Sequence, residues 1–318
     1  NRSAFGNALA DVGSLNYGVP GRTPILVFDC DLAGSVKVDG FAGKCPGWFI
    51  ETGIQEHATA TVSGAASAAG VVSLWADFGM FGLAEVYNQQ RLNDINGTGL
   101  KLVLTHVGLD VGEDGKTHQS IDYTGLLRNT FGWRLLVPAD PDQADRMTRW
   151  ALSEPGNICL AMGRNKIPIV LDENGKPFFG EDYVFRYGAF DVIRRGTDAA
   201  IIAVGHMVSR ALKAWEILKS RGVSVSVYHA GCPLHLDRET LSEAASTGRV
   251  VTFEDHHAGS GLGSLVASTL MESGCACELR TLGVTKYGES GSSVDVFTSM
   301  KLDPEDLVDT VLGMKGLK

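Results

Sequence analysis

The chain has 318 residues, 44% of them hydrophobic and 20% charged, and a formal net charge of −9. That is room for two domains of ordinary size with globular composition. An acidic balance without a Lys/Arg cluster excludes nucleic acid and anionic membranes as expected partners, and no apolar run reaches the roughly 18 residues a membrane span needs. No signal-peptide pattern opens the chain, so a cytoplasmic protein is expected.

Residues 1–12 place Phe5, Leu9 and Val12 on one helical stripe, and a Gly/Pro-rich connection follows. Residues 25–28 (Ile-Leu-Val-Phe) read as a buried strand that runs into Asp29-Cys-Asp-Leu-Ala-Gly-Ser35, and residues 48–51 as a second strand. Residues 56–69 form a helix of unusually small side chains (Ala58, Ala60, Gly64, Ala65, Ala66, Ala68), which lets it pack close to a neighbour and predicts burial or an interface. Strands at 71–75, 100–105, 134–137 and 158–161 alternate with helices at 81–93 and 140–152, the latter opened by Asp140-Pro141. Such alternation points to a parallel sheet. Around 171–185 the composition turns to Asp-Glu-Asn-Gly-Lys-Pro, a linker. Strands at 199–204, 223–228, 249–253 and 277–283 then alternate with helices, and Asp303-Pro304-Glu305 opens a last one. The expected architecture is therefore two successive α/β domains, residues 1–170 and 186–318, each with a mostly parallel sheet flanked by helices.

Six cysteines are scattered without a CxxC pair or zinc-like Cys/His spacing, so reduced thiols and no metal site are expected. Four constellations carry polar chemistry. In Glu51-Thr-Gly-Ile-Gln-Glu56-His57, Glu56 falls in the first turn of the small-residue helix, where the dipole favours any acid. Phe78 and Phe81 sit three apart in a Gly-interrupted segment, with Tyr87 further on; such aromatics are usually core, or else stack a flat ligand. Residues 105–119 hold His106, Asp110, Glu113, Asp114 and His118 among glycines, either a solvated turn or a loop that approaches a ligand. Arg164 lies just past a strand end, where a guanidinium suits a phosphate or carboxylate. Gly259-Ser-Gly-Leu-Gly263 departs from GxGxxG and reads as a structural turn.

In order, Asp-Leu-Ala-x-Ser (Asp31 to Ser35), Gly-Ile-x-Glu-His (Gly53 to His57), Phe-x-Met-Phe (Phe78 to Phe81), Gly-Glu-Asp-Gly-x-Thr-His (Gly112 to His118), Arg164 and Tyr287-Gly-Glu-Ser290 resemble the pyrimidine-binding and C-terminal domains of transketolase. The likeness spans essentially the whole chain. It implies a thiamine-diphosphate enzyme that moves a two-carbon ketol unit between sugar phosphates. Glu56 matches the glutamate that hydrogen-bonds N1′ of the aminopyrimidine, a contact that favours its imino tautomer, and a stacked, dry pocket is expected there. Phe78 and Phe81 match the aromatics that flank the pyrimidine, with Tyr87 near them, and Asp31 matches an acid close to the cofactor. Asp114 and His118 match contacts to donor and acceptor hydroxyls. Arg2, Ser35, His106 and Arg164 match positions that bind the sugar-phosphate end.

The chain nowhere carries Gly-Asp-Gly followed by the Asn with which that family holds Mg²⁺ and the diphosphate. The resemblance therefore implies one subunit of a split enzyme, with a separate chain binding the diphosphate and Mg²⁺, a site between chains, and self-association in a dimer of heterodimers. Alternatives are a 2-oxoacid dehydrogenase β subunit, a deoxyxylulose-phosphate synthase relative, or a non-catalytic scaffold that keeps the fold.

Overall fold

The computed structural model describes residues 1–314, 316 and 317. Its first sheet has six strands, β1 (Ile25–Asp29), β2 (Phe49–Glu51), β3 (Val72–Phe78), β4 (Lys101–Thr105), β5 (Arg134–Leu136) and β6 (Ile158–Ala161), in the order β2-β1-β3-β4-β6-β5 with every pair parallel. β4 is buried along its whole length, as the continuous apolar run of a strand covered on both faces requires. The second sheet comprises β7 (Asp191–Arg194), β8 (Ala199–Ala203), β9 (Val225–His229), β10 (Arg249–His257) and β11 (Glu278–Val284), ordered β11-β10-β8-β9-β7. Only β7 is antiparallel, an edge strand with two apolar residues between charged ones and so without a readable pattern. Among the described residues, no helix is long and apolar enough to cross a membrane, and the six cysteines are free.

Two expected elements differ. β3 runs on to Phe78, carrying Asp77 in a row of buried residues. The expected helix at 81–93 opens as a wide π turn, Met80–Glu85, before the α-helix Tyr87–Ile95. This turn packs tightly on the sheet, since a Cβ on Gly82 would stand 2.9 Å from a Leu104 methyl and 3.0 Å from Asp77 Cβ. The small-residue helix, Glu56–Ala68, is buried on Thr59, Ala60, Ser63 and Gly64. There Asn93 presses against Gly64 and donates to the Ala60 carbonyl at 3.0 Å. Its opposite face leaves Ala58, Thr61, Val62 and Ala65 exposed. The Gly259–Gly263 turn is structural: the buried Glu254 carboxylate accepts from Leu262 N at 2.6 Å and Gly263 N at 2.8 Å, fixing the next helix's start.

The domains meet where the buried end of β10 enters the chain after β4. Asp255 accepts from Leu109 N at 3.1 Å and pairs with His206 Nε2 at 3.1 Å. His256 Nε2 accepts from Thr124 N at 3.0 Å, and His257 N donates to the Ile121 carbonyl at 2.7 Å. Burial pulls His206 down, but the Asp255 carboxylate outweighs it and raises the imidazole from 6.5 to about 9. His206's contribution to stability is therefore complete below about pH 6.5 and lost as pH rises through about 9, while that of Asp255, whose pKa the imidazole lowers, is lost only on acidification. Asp255→Ala should cost about 3–5 kcal/mol, as stranding one member of a buried ion pair does, and flatten that alkaline loss; urea unfolding across pH 6–10 measures both.

Candidate active site

Because the first sheet is parallel, its strands deliver their C-terminal ends to one edge, where open α/β sheets hold ligands. Asp29 and Glu51 end β1 and β2, Phe78 ends β3, His106 follows β4, and Arg164 lies three residues beyond β6. Asp31, two residues past β1, is exposed and holds φ at 63°, its N–H donating to Glu51 Oε1 at 2.9 Å.

An aromatic wall occupies the middle of this edge. Phe78 stacks on Phe81 with centroids 6.2 Å apart and on the His106 ring at 3.8 Å, while His118 stands edge-on to Phe81 at 5.2 Å and to Phe78 at 6.5 Å. Gly79 makes the sharp exit from β3 possible, since a Cβ there would meet Val107 at 2.7 Å and Ser120 at 2.9 Å. Tyr87 is half-buried and packs on the hydrophobic cluster that includes Trp75, Leu83 and Tyr123.

A cationic corner adjoins the wall. Arg2 donates from Nη1 to the Ser35 carbonyl at 2.5 Å and from Nε and Nη2 to the Arg164 carbonyl at 3.1 and 2.7 Å. Arg164 donates from Nη1 to the Val111 carbonyl and to Glu113 Oε2, both at 2.9 Å. Buried His106, with φ at 57°, bonds Thr105 Oγ1 through Nδ1 at 2.8 Å. Burial first, then Arg2 and Arg164, push its pKa down to about 3, so the ring is neutral at physiological pH. Asp114 ends the loop exposed, and Thr117 Oγ1 lies 3.0 Å from His118 Nδ1.

Acids gather on the opposite flank. Glu56, half-buried in the first turn of its helix, lies with Asp77 and Cys30 so that one carboxylate or sulfur atom of each falls within 4.8 Å of the others. Asp77 is wholly buried; burial first, then Glu56 and Asp29, raise it to about 8. Asp29 is raised to about 7 by burial and by Glu51. The three donors suit an ion poorly, because burial raises the Cys30 thiol's pKa and its sulfur contacts the Thr52 and Thr59 hydroxyls at 3.5 Å each.

Residues 2–169 match the family described as the transketolase pyrimidine binding domain, and residues 188–307 that described as the transketolase C-terminal domain. The chain belongs to the transketolase family. It is 27% identical over 313 residues to a putative transketolase C-terminal section of Methanocaldococcus jannaschii, covering 98% of this chain and 95% of that protein. It is 27% identical over 291 residues to an apulose-4-phosphate transketolase subunit of Phocaeicola vulgatus, covering 91% of this chain and 90% of that protein. A solved structure described as a split gene transketolase, inactive beta4 tetramer, superposes with a TM-score of 0.87 at 29% identity, covering 100% of this chain and 98% of that one.

Use of thiamine diphosphate goes with the transketolase family. The flat Phe78–Phe81 wall with a carboxylate at the adjoining helix start suits an aminopyrimidine, which offers a face to stack and a ring nitrogen to bond. Of the residues expected from sequence, Phe78, Phe81, His106 and His118 form one cluster, and Arg2, Ser35 and Arg164 interlock through the two carbonyls. Glu56 joins the wall through Asp77, the residue before Phe78, whereas Asp31 and Asp114 stand exposed at the rim. Asp77 is a residue of this edge that sequence reasoning did not assign to it, and Glu113, named among the acids of the 105–119 loop, was not paired there with Arg164. A lone acid in the apolar run Leu74-Trp-Ala-Asp-Phe78 was the available signal for Asp77; nothing in the sequence pairs Glu113 with Arg164. In pH titrations followed by NMR, the His106 ring should show no protonation step above about pH 4, while Arg2→Ala should raise its titration point by removing one of the cations that depress it.

Proposed function

We propose that the chain is one subunit of a thiamine-diphosphate-dependent transketolase that moves a two-carbon ketol unit between sugar phosphates, active only with a separate diphosphate-binding subunit that carries the Mg²⁺. The observation that carries this reading is the order along one sheet edge: acids around Glu56, the Phe78–Phe81 wall, then the Arg2–Arg164 corner. A scaffold needs no such order.

Glu56 holds a proton at the ring nitrogen, Phe78 and Phe81 flank the pyrimidine with Tyr87 behind them, and Asp31 is an acid at the cofactor's edge. When bound, thiamine diphosphate supplies the carbon nucleophile that accepts the ketol unit. His118 and Asp114 contact hydroxyls near the reacting carbons. Neutral His106, its Nδ1 engaged by Thr105, offers Nε2 to the substrate, and Arg2, Ser35 and Arg164 take the phosphate end. Arg164 then exchanges Glu113 for phosphate, an acid for an acid, which limits the desolvation that binding requires. Exposed Ile54, Val62, Ile95 and Phe131, with the small-residue face at Ala58 and Ala65, offer apolar surface for another subunit. The cytoplasm suits phosphorylated substrates.

The test is reconstitution with the diphosphate-binding chain, Mg²⁺ and thiamine diphosphate on a ketose-phosphate panel. Glu56→Ala should lower kcat about 10²–10⁴-fold, the span of a lost acid–base contact. Absence of ketol transfer with every ketose phosphate, or a Glu56→Ala variant equal to wild type, would sink the reading. Tight cofactor binding by the isolated chain would sink the division between subunits. Arg164→Ala should raise KM for phosphorylated sugars about tenfold to a hundredfold, the loss of a charge-assisted hydrogen bond, with little change for unphosphorylated ones.

A further inference from the structure

The wholly buried Asp77 has no part in the contacts assigned above. It lies in a strand whose neighbouring side chains are apolar, where an unpaired carboxylate is costly. Its Oδ1 accepts from Phe78 N at 2.7 Å, but its Oδ2 is buried without a hydrogen-bond partner among the described residues. The elements packed around it bring no compensating cation. The Glu56–Ala68 helix brings Glu56; β1 brings Asp29, with Glu51 of β2 behind it, and the Cys30 thiol just past β1 acts on Asp77 only as a neutral, weak donor; on the β4 side the Thr105 hydroxyl reaches the backbone carbonyl of Asp77, at 3.4 Å, and not its carboxyl. The charged groups acting on Asp77 are thus acids. Two carboxyls within 4.8 Å, one of them wholly buried, cannot both ionise without mutual cost, whereas one proton between them satisfies the orphaned oxygen.

We propose that Asp77 is the positioning partner of Glu56, the two carboxyls retaining one shared proton that orients Glu56 and keeps it able to give or take a proton at its ligand. The proposal rests on the role of Glu56 given above. The proton moves only between Asp77 Oδ2 and the Glu56 carboxylate, directly or through one bridging water, so no other reactant is needed. The high proton affinity of Asp77, about 8, agrees with its holding that proton at neutral pH. An ion among Cys30, Glu56 and Asp77 is the competing occupant, and the raised thiol disfavours it.

Isotope-edited infrared spectroscopy of the full chain, with labelled aspartate, tests the pair without partner or cofactor. The protonated buried aspartate signal at pH 7 should lose its Asp77 component in Asp77→Asn, leaving only what Asp29 contributes, and keep that component in Asp29→Asn; the Asp77 component should titrate at lower pH in Glu56→Gln. Circular dichroism checks folding, and Asp77→Thr, whose hydroxyl can still take the Phe78 N–H, serves if Asn does not fold. In the reconstituted complex, Asp77→Asn should move the alkaline limb of kcat to lower pH, with about a tenfold loss per unit of proton affinity removed, an unchanged sugar-phosphate KM, and partial recovery in Asp77→Glu. An ionised Asp77 at pH 7, a titration indifferent to Glu56→Gln, or stoichiometric Zn²⁺ uptake abolished by Cys30→Ser would each overturn the proposal. A normal infrared result in an inactive complex would instead count against the transketolase reading alone.

Discussion

The segment after β4 can present side chains to a ligand because two buried carboxylates hold its back. Asp255 fixes Leu109 N, and Asp110 accepts from Asn165 N and Nδ2, both at 2.6 Å, and from Ser293 Oγ at 3.1 Å. Each is a charge out of water, worth several kcal/mol of penalty unless paired and fully bonded. Both are bonded by groups from both domains: Asp255 reaches forward from β10 to the loop, and Asp110 reaches back to Ser293. The second domain is therefore part of the recognition loop's support as well as a neighbour. Gly108 and Gly163 fit this clasp, since a Cβ on the first would collide with Asp255 and on the second with Asp110.

The same edge sorts charge by sign. Burial, helped by Arg2 and Arg164, pushes the His106 pKa down to about 3, while burial, helped by Glu56 and Asp29, raises Asp77 to about 8. Burial is the larger cause of both shifts, but the neighbouring charges differ in sign. An anion is attracted to one side and a proton is retained on the other. Arg2 depends on its contacts with the Ser35 and Arg164 carbonyls, so the cationic corner is assembled from three distant chain segments.

Period and punctuation made the fold readable. β1, β4, β6, β8 and their helices announce themselves as apolar runs between glycines, and Asp140-Pro141 and Asp303-Pro304 mark helix starts that the structure caps in that way. β7 escaped because an edge strand of four residues has no period, as did the one- and two-turn helices Ala33–Val36 and Tyr123–Arg128. The π turn at Met80–Glu85 escaped because the apolar spacing of 81–93 reads the same for a π turn as for the first turn of an α-helix. For the site, residue order was visible but contact was not. Sequence placed His106 and Phe78 in separate segments; only the parallel register that pairs Phe78 with Thr105 brings their rings to 3.8 Å. Asp77 was readable as an acid out of place, yet its partner required the helix to be docked.

That docking ties assembly to chemistry. Gly64 allows Asn93 to reach the backbone of the Glu56–Ala68 helix, and a Cβ at Gly64 would fall on the Asn93 amide. The buried face thus sets how far the helix stands from the sheet, and with it the distance between Glu56 in its first turn and Asp77 at the end of β3. The other face, with Ala58, Val62 and Ala65, is exposed. A few tenths of an ångström of displacement would be felt at once where two carboxyls must share a proton, because hydrogen bonds weaken steeply away from their preferred geometry. The exposed small-residue face and the acid in the first turn are thus carried by one and the same helix.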